Sequence, residues 1–203
     1  LLALRRADGP ECARQQARAR DLCRENGRRE DAVRMELVLG GYLVQLREQE
    51  QAQASFARAA AAAGELGAHV LEAQSCYAEA HVWQERRRFE EAIRCYWAGI
   101  EAAKKGRHVR LVFDGYWEAG LLLRPLDQKS TLVSLWSDAI RTAQDYSATE
   151  LRGTRIEKIV RSIAARPDAV CIWIGPPSMR AWTAGYTEKV YQALRDGIRA
   201  AED

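Results

Sequence analysis

Residues 77–103 read YAEAHVWQERRRFEEAIRCYWAGIEAA, and this stretch decides the fold. Its apolar residues recur at intervals of three and four, the period of an amphipathic helix. The pattern divides just before Phe89 into two helices. In the second helix, the small side chain of Ala92 predicts a close approach of the two helices. Phe89 and Tyr96 are predicted to fill the gap between neighbouring units. The stretch therefore predicts a helical hairpin.

The same period extends on both sides of this hairpin. The chain has no proline between Pro10 and Pro125, and one uninterrupted helix of that length is improbable without a coiled-coil heptad. Breaks are predicted at Gly27, Gly67 and Gly106, which are 40 and 39 residues apart. Self-similarity at such a spacing is typical of a solenoid, in which stacked hairpins bury one another's apolar faces.

Eight helices are predicted over most of the chain, and a ninth near its end. The shift of 39 also makes His69 and His108 equivalent, and this equivalence favours a structural role for both. The predicted spans are 10–26, 29–47, 50–66, 69–87, 89–105, 108–123, 128–145, 148–165 and 178–201.

Tyr77-Ala78-Glu79-Ala80, Trp83 and residues 88–100 together resemble a tetratricopeptide repeat. The 39–40-residue period resembles the longer subtype found in kinesin light chains and bacterial tetratricopeptide regulators. The resemblance covers about residues 10–145, and Arg124-Pro125-Leu126 departs from it. It implies an all-α, right-handed α-solenoid of about four hairpins over residues 1–166. A generic helical bundle is the alternative.

Residues 167–203 match no repeat. They are predicted to form a short extended segment followed by an amphipathic helix that caps the last hairpin. The alternatives are that this helix lies in the groove or pairs with a second subunit as a homodimer.

In the resembled family, the first helix of each hairpin lines a concave groove that binds a partner. The resemblance carries the partner-binding role to a short set of residues in this chain, namely Arg47, Glu79, Trp83, Arg86, Arg87 and Glu118. Other positions of the same groove are Leu37, Gly40, Val44, Glu48, Cys76, Gly115 and Leu122. Arg47 and Arg86 are expected to form a basic column for an acidic segment or a C-terminal carboxylate. Trp83 is either the aromatic anchor of the partner or a packing residue.

Composition limits the classes of function. Hydrophobic residues make up 47% and charged residues 29% of the 203 residues, as in a folded soluble domain. A net charge of +3 predicts no nucleic-acid partner, and no apolar run is long enough to span a membrane. The five cysteines are scattered, which favours reduced thiols and a cytoplasmic protein. The first residue is not methionine, and we expect a fragment of a longer protein or a trimmed chain.

The sequence contains no arrangement that indicates catalysis. There is no Cys-x-x-Cys, no His-x-x-x-His and no glycine-rich phosphate loop, so neither a metal nor a cofactor is expected. Gly40-Gly41 is predicted to permit close helix contact. The arginines at 86–88 and the basic residues after them form either a solvated face or an anion contact.

Two functions therefore remain. The first is a non-catalytic scaffold, an adaptor or chaperone-like protein, that binds a protein or peptide. The second is a partner- or ligand-sensing regulatory module of a larger bacterial signalling or transcription-control protein. An enzyme is the least favoured class, because no catalytic constellation emerges.

Overall fold

The computed structural model of the chain describes residues 9–123, 129–143, 145–156 and 158–159. These residues form helices and turns without a strand. The helices are α1 Gly9–Glu25, α2 Arg29–Gln45, α3 Gln49–Glu65, α4 His69–Glu85, α5 Phe89–Lys105, α6 Val109–Leu123, α7 Lys129–Ala143 and α8 Ala148–Leu151. The chain divides into two compact units, Leu1–Gly115 and Tyr116–Asp203.

In the first unit each helix packs against the next one along the chain, and α2 also contacts α4. The all-α helical-repeat architecture predicted from the sequence is thereby confirmed. No described helix is long and apolar enough to cross a membrane. The predicted capping helix at 178–201 and the extended segment before it lie outside the described residues, and so does Arg124-Pro125-Leu126. The boundary at residue 166 stays a prediction.

The helices of the first unit follow a strict register. Helices α1 to α5 have 17 residues each, and successive helices begin 20 residues apart, so hairpins repeat every 40 residues. The 39-residue step predicted from Gly67 and Gly106 is therefore wrong. Arg107 occupies the position equivalent to Gly67. The counterpart of His69 is Val109, so the predicted equivalence of His69 and His108 is also wrong.

Five turns between helices share one backbone geometry. A residue with positive φ ends each helix, and these residues are Gly27, Arg47, Gly67, Arg87 and Arg107. After α4, Arg87 N donates to Gln84 O at 3.0 Å and Arg88 N donates to Trp83 O at 2.9 Å. This pair of bonds is the Schellman motif, which satisfies the last carbonyl groups of a helix and favours glycine at the left-handed position. Glycine marks only some of these turns, since arginine occupies the left-handed position in three.

Replacing Arg87 by glycine is expected to raise the free energy of unfolding by about 0.5–1 kcal/mol, because a left-handed φ costs a side chain more than it costs glycine. The φ of Arg87 is 59°. The reverse change, Gly67→Ala, serves as the control and should lower stability, because Gly67 has φ 66°. Urea unfolding followed by circular dichroism measures both. A loss of stability in Arg87→Gly would show that its side chain stabilises the turn by more than the backbone strain costs.

A small residue facing an aromatic ring recurs through the hairpins. The twelfth residue of α2, α4 and α6 is Gly40, Ala80 and Gly120, and the eighth residue of α3, α5 and α7 is Phe56, Tyr96 and Trp136. A Cβ on Gly40 would lie closer than 3.0 Å to three ring atoms of Phe56. A Cβ on Gly120 would lie 2.8 Å from Trp136 Nε1. Each hairpin thus closes by seating a ring on a position that has little or no side chain.

The packing roles predicted for Ala92 and Tyr96 are confirmed, since both residues are fully buried. Phe89 is only half-buried at the start of α5. Acidic residues in the first turn of α5, Glu90 and Glu91, lie at the positive end of its helix dipole.

Candidate functional site

Trp83 lies near the end of α4 with charged groups on both sides of its indole. Its Nε1 donates to Glu79 Oε1 at 3.2 Å, since residues four apart share a helix face. The guanidinium carbons of Arg86 and Arg88 lie 5.1 Å and 5.7 Å from the ring centroid. Both distances are within the range of a cation–π interaction. We call Glu79, Trp83, Arg86 and Arg88 the Trp83 cluster.

The Trp83 cluster is completed by polar side chains of α3. Gln53 Nε2 donates to Glu79 Oε1 at 2.8 Å. Arg86 Nη2 lies 3.5 Å from Glu50 Oε1, in an ion pair whose glutamate is 86% exposed. An exposed pair of this kind contributes little to stability and exchanges readily for another carboxylate.

The indole of Trp83 is half-buried, and both of its predicted roles draw support from this position. Its bond to Glu79 fixes the ring, as packing would require. The accessible part of the ring carries two guanidinium groups, which can donate forked hydrogen bonds to a carboxylate. The arrangement is suited to an acidic or aromatic group of a partner.

The other predicted site residues lie apart from this cluster. Arg47 and Arg87 occupy left-handed turn positions and are exposed. Because the register is 40 residues, the counterpart of Arg47 is Arg87, and the expected column of Arg47 with Arg86 rested on the shift of 39. Glu118 is half-buried on α6 in the second unit.

Four of the further groove positions are buried and present no surface to a partner, namely Gly40, Cys76, Gly115 and Leu122. This part of the sequence prediction is wrong, because these positions face neighbouring helices. A Cβ on Gly115 would lie 2.7 Å from Ile100 Cγ1, for example.

A buried ion network in the first unit was missed by sequence reasoning. Glu36 on α2 is 1% exposed, and its Oε1 accepts from Ser55 Oγ at 2.6 Å and from Arg58 Nη2 at 2.7 Å. Its Oε2 accepts from Arg20 Nη1 at 2.9 Å and from Arg24 Nη2 at 3.4 Å. Burial tends to raise the pKa of Glu36, but the hydrogen bonds from Ser55, Arg58 and Arg20 outweigh it and hold the pKa below its ordinary value.

A signal for this network exists in the 40-residue register. Glu36 is the eighth residue of α2, and the eighth residues of α4 and α6 are Cys76 and Tyr116. All three are buried. In the second unit, Tyr116 donates to the Asp138 carboxylate and lies 3.1 Å from Thr142 Oγ1. A charged residue at a position that is apolar or aromatic in the other repeats therefore indicates a buried polar contact.

The described cysteines are free thiols with little nucleophilic character where their environment is resolved. Cys76 is buried, whereas Cys12, Cys23 and Cys95 are half-buried. Burial, reinforced by the nearby carboxylate of Glu79, raises the pKa of Cys76 and of Cys95 to about 12. A thiol of that pKa is almost entirely protonated at neutral pH and is a poor nucleophile. Among the described residues, no group of three or more histidine, cysteine or acidic side chains could hold a metal ion.

Comparison with known proteins extends the description of the fold. No family model matches the chain, and no curated protein matches it. Ten chains of solved structures match, among them the crystal structure of the apo form of RapI. That match has a TM-score of 0.55 at 15% sequence identity and covers 94% of this chain and 77% of RapI. At this identity the likeness concerns the fold alone, and the chain has the helical-repeat fold seen in that structure.

Proposed function

We propose that this protein is a non-catalytic cytoplasmic scaffold of the tetratricopeptide type, an adaptor or chaperone-like protein that binds a protein or peptide partner. The observation that carries the proposal is the Trp83 cluster, in which a half-buried indole lies between two guanidinium groups. Tryptophan and arginine dominate the energetics of protein interfaces.

The chemistry of the cluster favours a partner that presents a carboxylate. The ion pair of Arg86 with the exposed Glu50 is the contact that an incoming acidic side chain or a C-terminal carboxylate would replace. Glu79 holds the indole in place through Nε1 and leaves the ring face for an apolar group. Arg47, Arg87 and Glu118 are proposed as peripheral contacts of the same partner.

The second candidate is a partner- or ligand-sensing regulatory module of a larger bacterial signalling or transcription-control protein. The likeness to RapI supports this candidate, because an apo form of RapI implies a second form of that protein with something bound. The sequence of the full-length gene product and its neighbours would separate the two candidates. A catalytic or DNA-binding domain in the same chain would favour the regulatory module.

Partner capture by the scaffold is expected to disappear when Trp83→Ala is combined with Arg86→Glu. The double substitution removes the aromatic anchor and reverses the charge beside it, which together should weaken binding at least about a hundredfold. Affinity capture from the source cell with the wild-type chain, followed by mass spectrometry, identifies the partner. Binding of that partner is then measured for each variant.

Trp97→Ala combined with Arg94→Glu is the matched control, because it makes the same two chemical changes on α5. This control should retain the partner. Both double variants should keep the helical circular dichroism of the wild-type protein. Retention of the partner by the Trp83 and Arg86 variant, at unchanged helix content, would overturn the assignment of the site.

A further inference from the structure

A long cleft in the first unit lies between α1 and α3 and has α2 as its floor. It contains two cavities, one of about 500 Å³ and one of about 170 Å³. Arg58 lines both cavities, and Arg20 lines the larger one. Both arginines converge on Glu36, so the ion network narrows the cleft between the two cavities. The cleft follows α2, whose 17 residues span about 25 Å.

Small side chains keep the walls of the cleft apart. Ala13 and Ala17 line it from α1, and Ala54 lines it from α3. The floor of the larger cavity is formed by Leu39 and Leu43. An alanine wall over a leucine floor makes an apolar trough, because side chains of this length cannot meet across the space between two helices.

The rim of the cleft is positively charged. Its arginines are Arg14, Arg20, Arg24, Arg29 and Arg58, and its acidic residues are Glu36 and Glu48. One carboxylate at Glu36 accepts from three guanidinium groups, which leaves donors without an acidic acceptor in the network. The side chain of Arg58 remains 54% exposed despite its bonds to Glu36.

Several rim arginines also have partners outside the cleft. Arg14 pairs with Glu11 at 2.5 Å, and both side chains are at least half exposed. Arg29 pairs with Glu65 at 3.9 Å, again at the surface. Exposed pairs of this kind contribute about 0–1 kcal/mol, so an incoming carboxylate can replace them at little cost.

We propose that this cleft docks an acidic amphipathic segment of a protein partner. Aliphatic side chains of the segment lie against Ala13, Ala17 and Leu43, and its carboxylates pair with Arg14 and Arg58. The elongated open shape suits a segment of chain, because small-molecule sites usually enclose most of their ligand. Opposite charge across the contact supplies register and speed of association.

This docking surface is distinct from the Trp83 cluster, and the two share α3 as a wall. Gln49, Glu50 and Gln53 face α4 and the cluster. The residues of α3 that line the cleft include Gln51, Ala54 and Arg58. At about 100° per residue, these two sets lie roughly 120° apart around the helix axis.

The test uses the full chain and a fluorescein-labelled peptide of repeated Leu-Glu-Glu-Leu units. Fluorescence anisotropy should show binding that weakens as salt is added. Arg14→Glu combined with Gln51→Glu should weaken binding at least about tenfold, because it places two negative charges at the rim. Both residues are exposed, so the fold is retained. Amide signals of Ala17 and Ala54 should shift in nitrogen-15 NMR spectra as the peptide is added.

Two control variants and two control peptides decide the outcome. Arg94→Glu, an exposed charge reversal on α5, and Trp83→Ala should both leave peptide binding unchanged. Peptides with lysine in place of glutamate, or with serine in place of leucine, should bind at least about tenfold more weakly. The proposal is overturned if the Leu-Glu peptide does not bind, if the rim variant binds it normally, or if Trp83→Ala abolishes the binding.

Discussion

Replacing Glu36 by alanine is expected to lower the free energy of unfolding by about 3–5 kcal/mol, because it removes one partner of a buried ion network. The remaining guanidinium group of Arg20 is only 17% exposed in its side chain and would lose its main buried acceptor. Ser55 is fully buried and would lose its short hydrogen bond to the carboxylate. Urea unfolding followed by circular dichroism measures the loss.

A neighbouring glutamate provides the control for this prediction. Glu30 also lies on α2, is exposed and pairs with Arg34 at the surface. Glu30→Ala should therefore change stability by less than about 0.5 kcal/mol. Equal losses in the two variants would show that the buried network contributes no more than a surface pair.

A second variant separates the loss of the carboxylate from general disruption of the core. Glu36→Met combined with Arg20→Met replaces two buried charges by apolar side chains of similar length. Such replacements of buried ion pairs are often neutral or stabilising, so the double variant should be more stable than Glu36→Ala. If it is less stable, the site requires its charges for a reason other than mutual compensation.

The dependence of stability on pH gives an independent measurement of the same network. The pKa of Glu36 in the folded protein lies below its ordinary value of 4.5, so the carboxylate favours folding when it is ionised. This contribution is complete above the pKa of the unfolded chain and is lost as pH falls through the lower folded-state pKa. The difference in stability between wild-type protein and Glu36→Gln should therefore narrow below about pH 4.5. A constant difference would show that ionisation of Glu36 is not linked to folding.

Gly40→Ala is expected to destabilise the protein by about 1–3 kcal/mol, although alanine is the better helix former. The added methyl group would lie closer than 3.0 Å to three ring atoms of Phe56. Phe56 is 4% exposed and packs in a core with Leu39, Leu43 and Ala52, so its ring has little space to retreat. Thermal and urea unfolding both report the loss.

The adjacent glycine is the matched control, because nothing lies within 4 Å of a Cβ built on Gly41. Gly41→Ala should stabilise the protein by about 0.5–1 kcal/mol through helix propensity alone. The two substitutions are chemically identical and one residue apart, so opposite signs isolate the contact with Phe56. Gly40→Ala with Phe56→Leu should recover part of the loss. A stabilising Gly40→Ala would disprove the close contact between α2 and α3.

The sequence predicted the helices well because their boundaries depend on short-range interactions. Apolar periodicity and turn signals act within about one turn of helix, and they placed each helix between α1 and α6 within two residues of its observed ends. The hairpin packing around Ala92 and Tyr96 was equally readable, because small and aromatic residues at those spacings have a direct packing meaning. The turns at Arg47, Arg87 and Arg107 were less readable, since arginine does not indicate a left-handed φ.

The candidate site was predicted in part. Glu79, Trp83 and Arg86 come together because they lie on consecutive turns of one helix, a relation that the sequence contains. The buried faces of α2, α4 and α6 were harder to assign. Gly40 and Cys76 were predicted to face a partner, and they face neighbouring helices instead.

By itself, the sequence determined an all-helical chain of regular hairpins, because helix period and turn chemistry are local properties. Only the tertiary structure decided that Glu36 is buried among arginines, that Gly40 but not Gly41 receives a ring, and that α1 and α3 stand apart as a cleft. Each of these depends on residues about 16 to 22 positions apart, such as Glu36 with Arg20 and Arg58. Such pairs meet through the way one helix crosses another, and packing of whole helix faces sets that crossing.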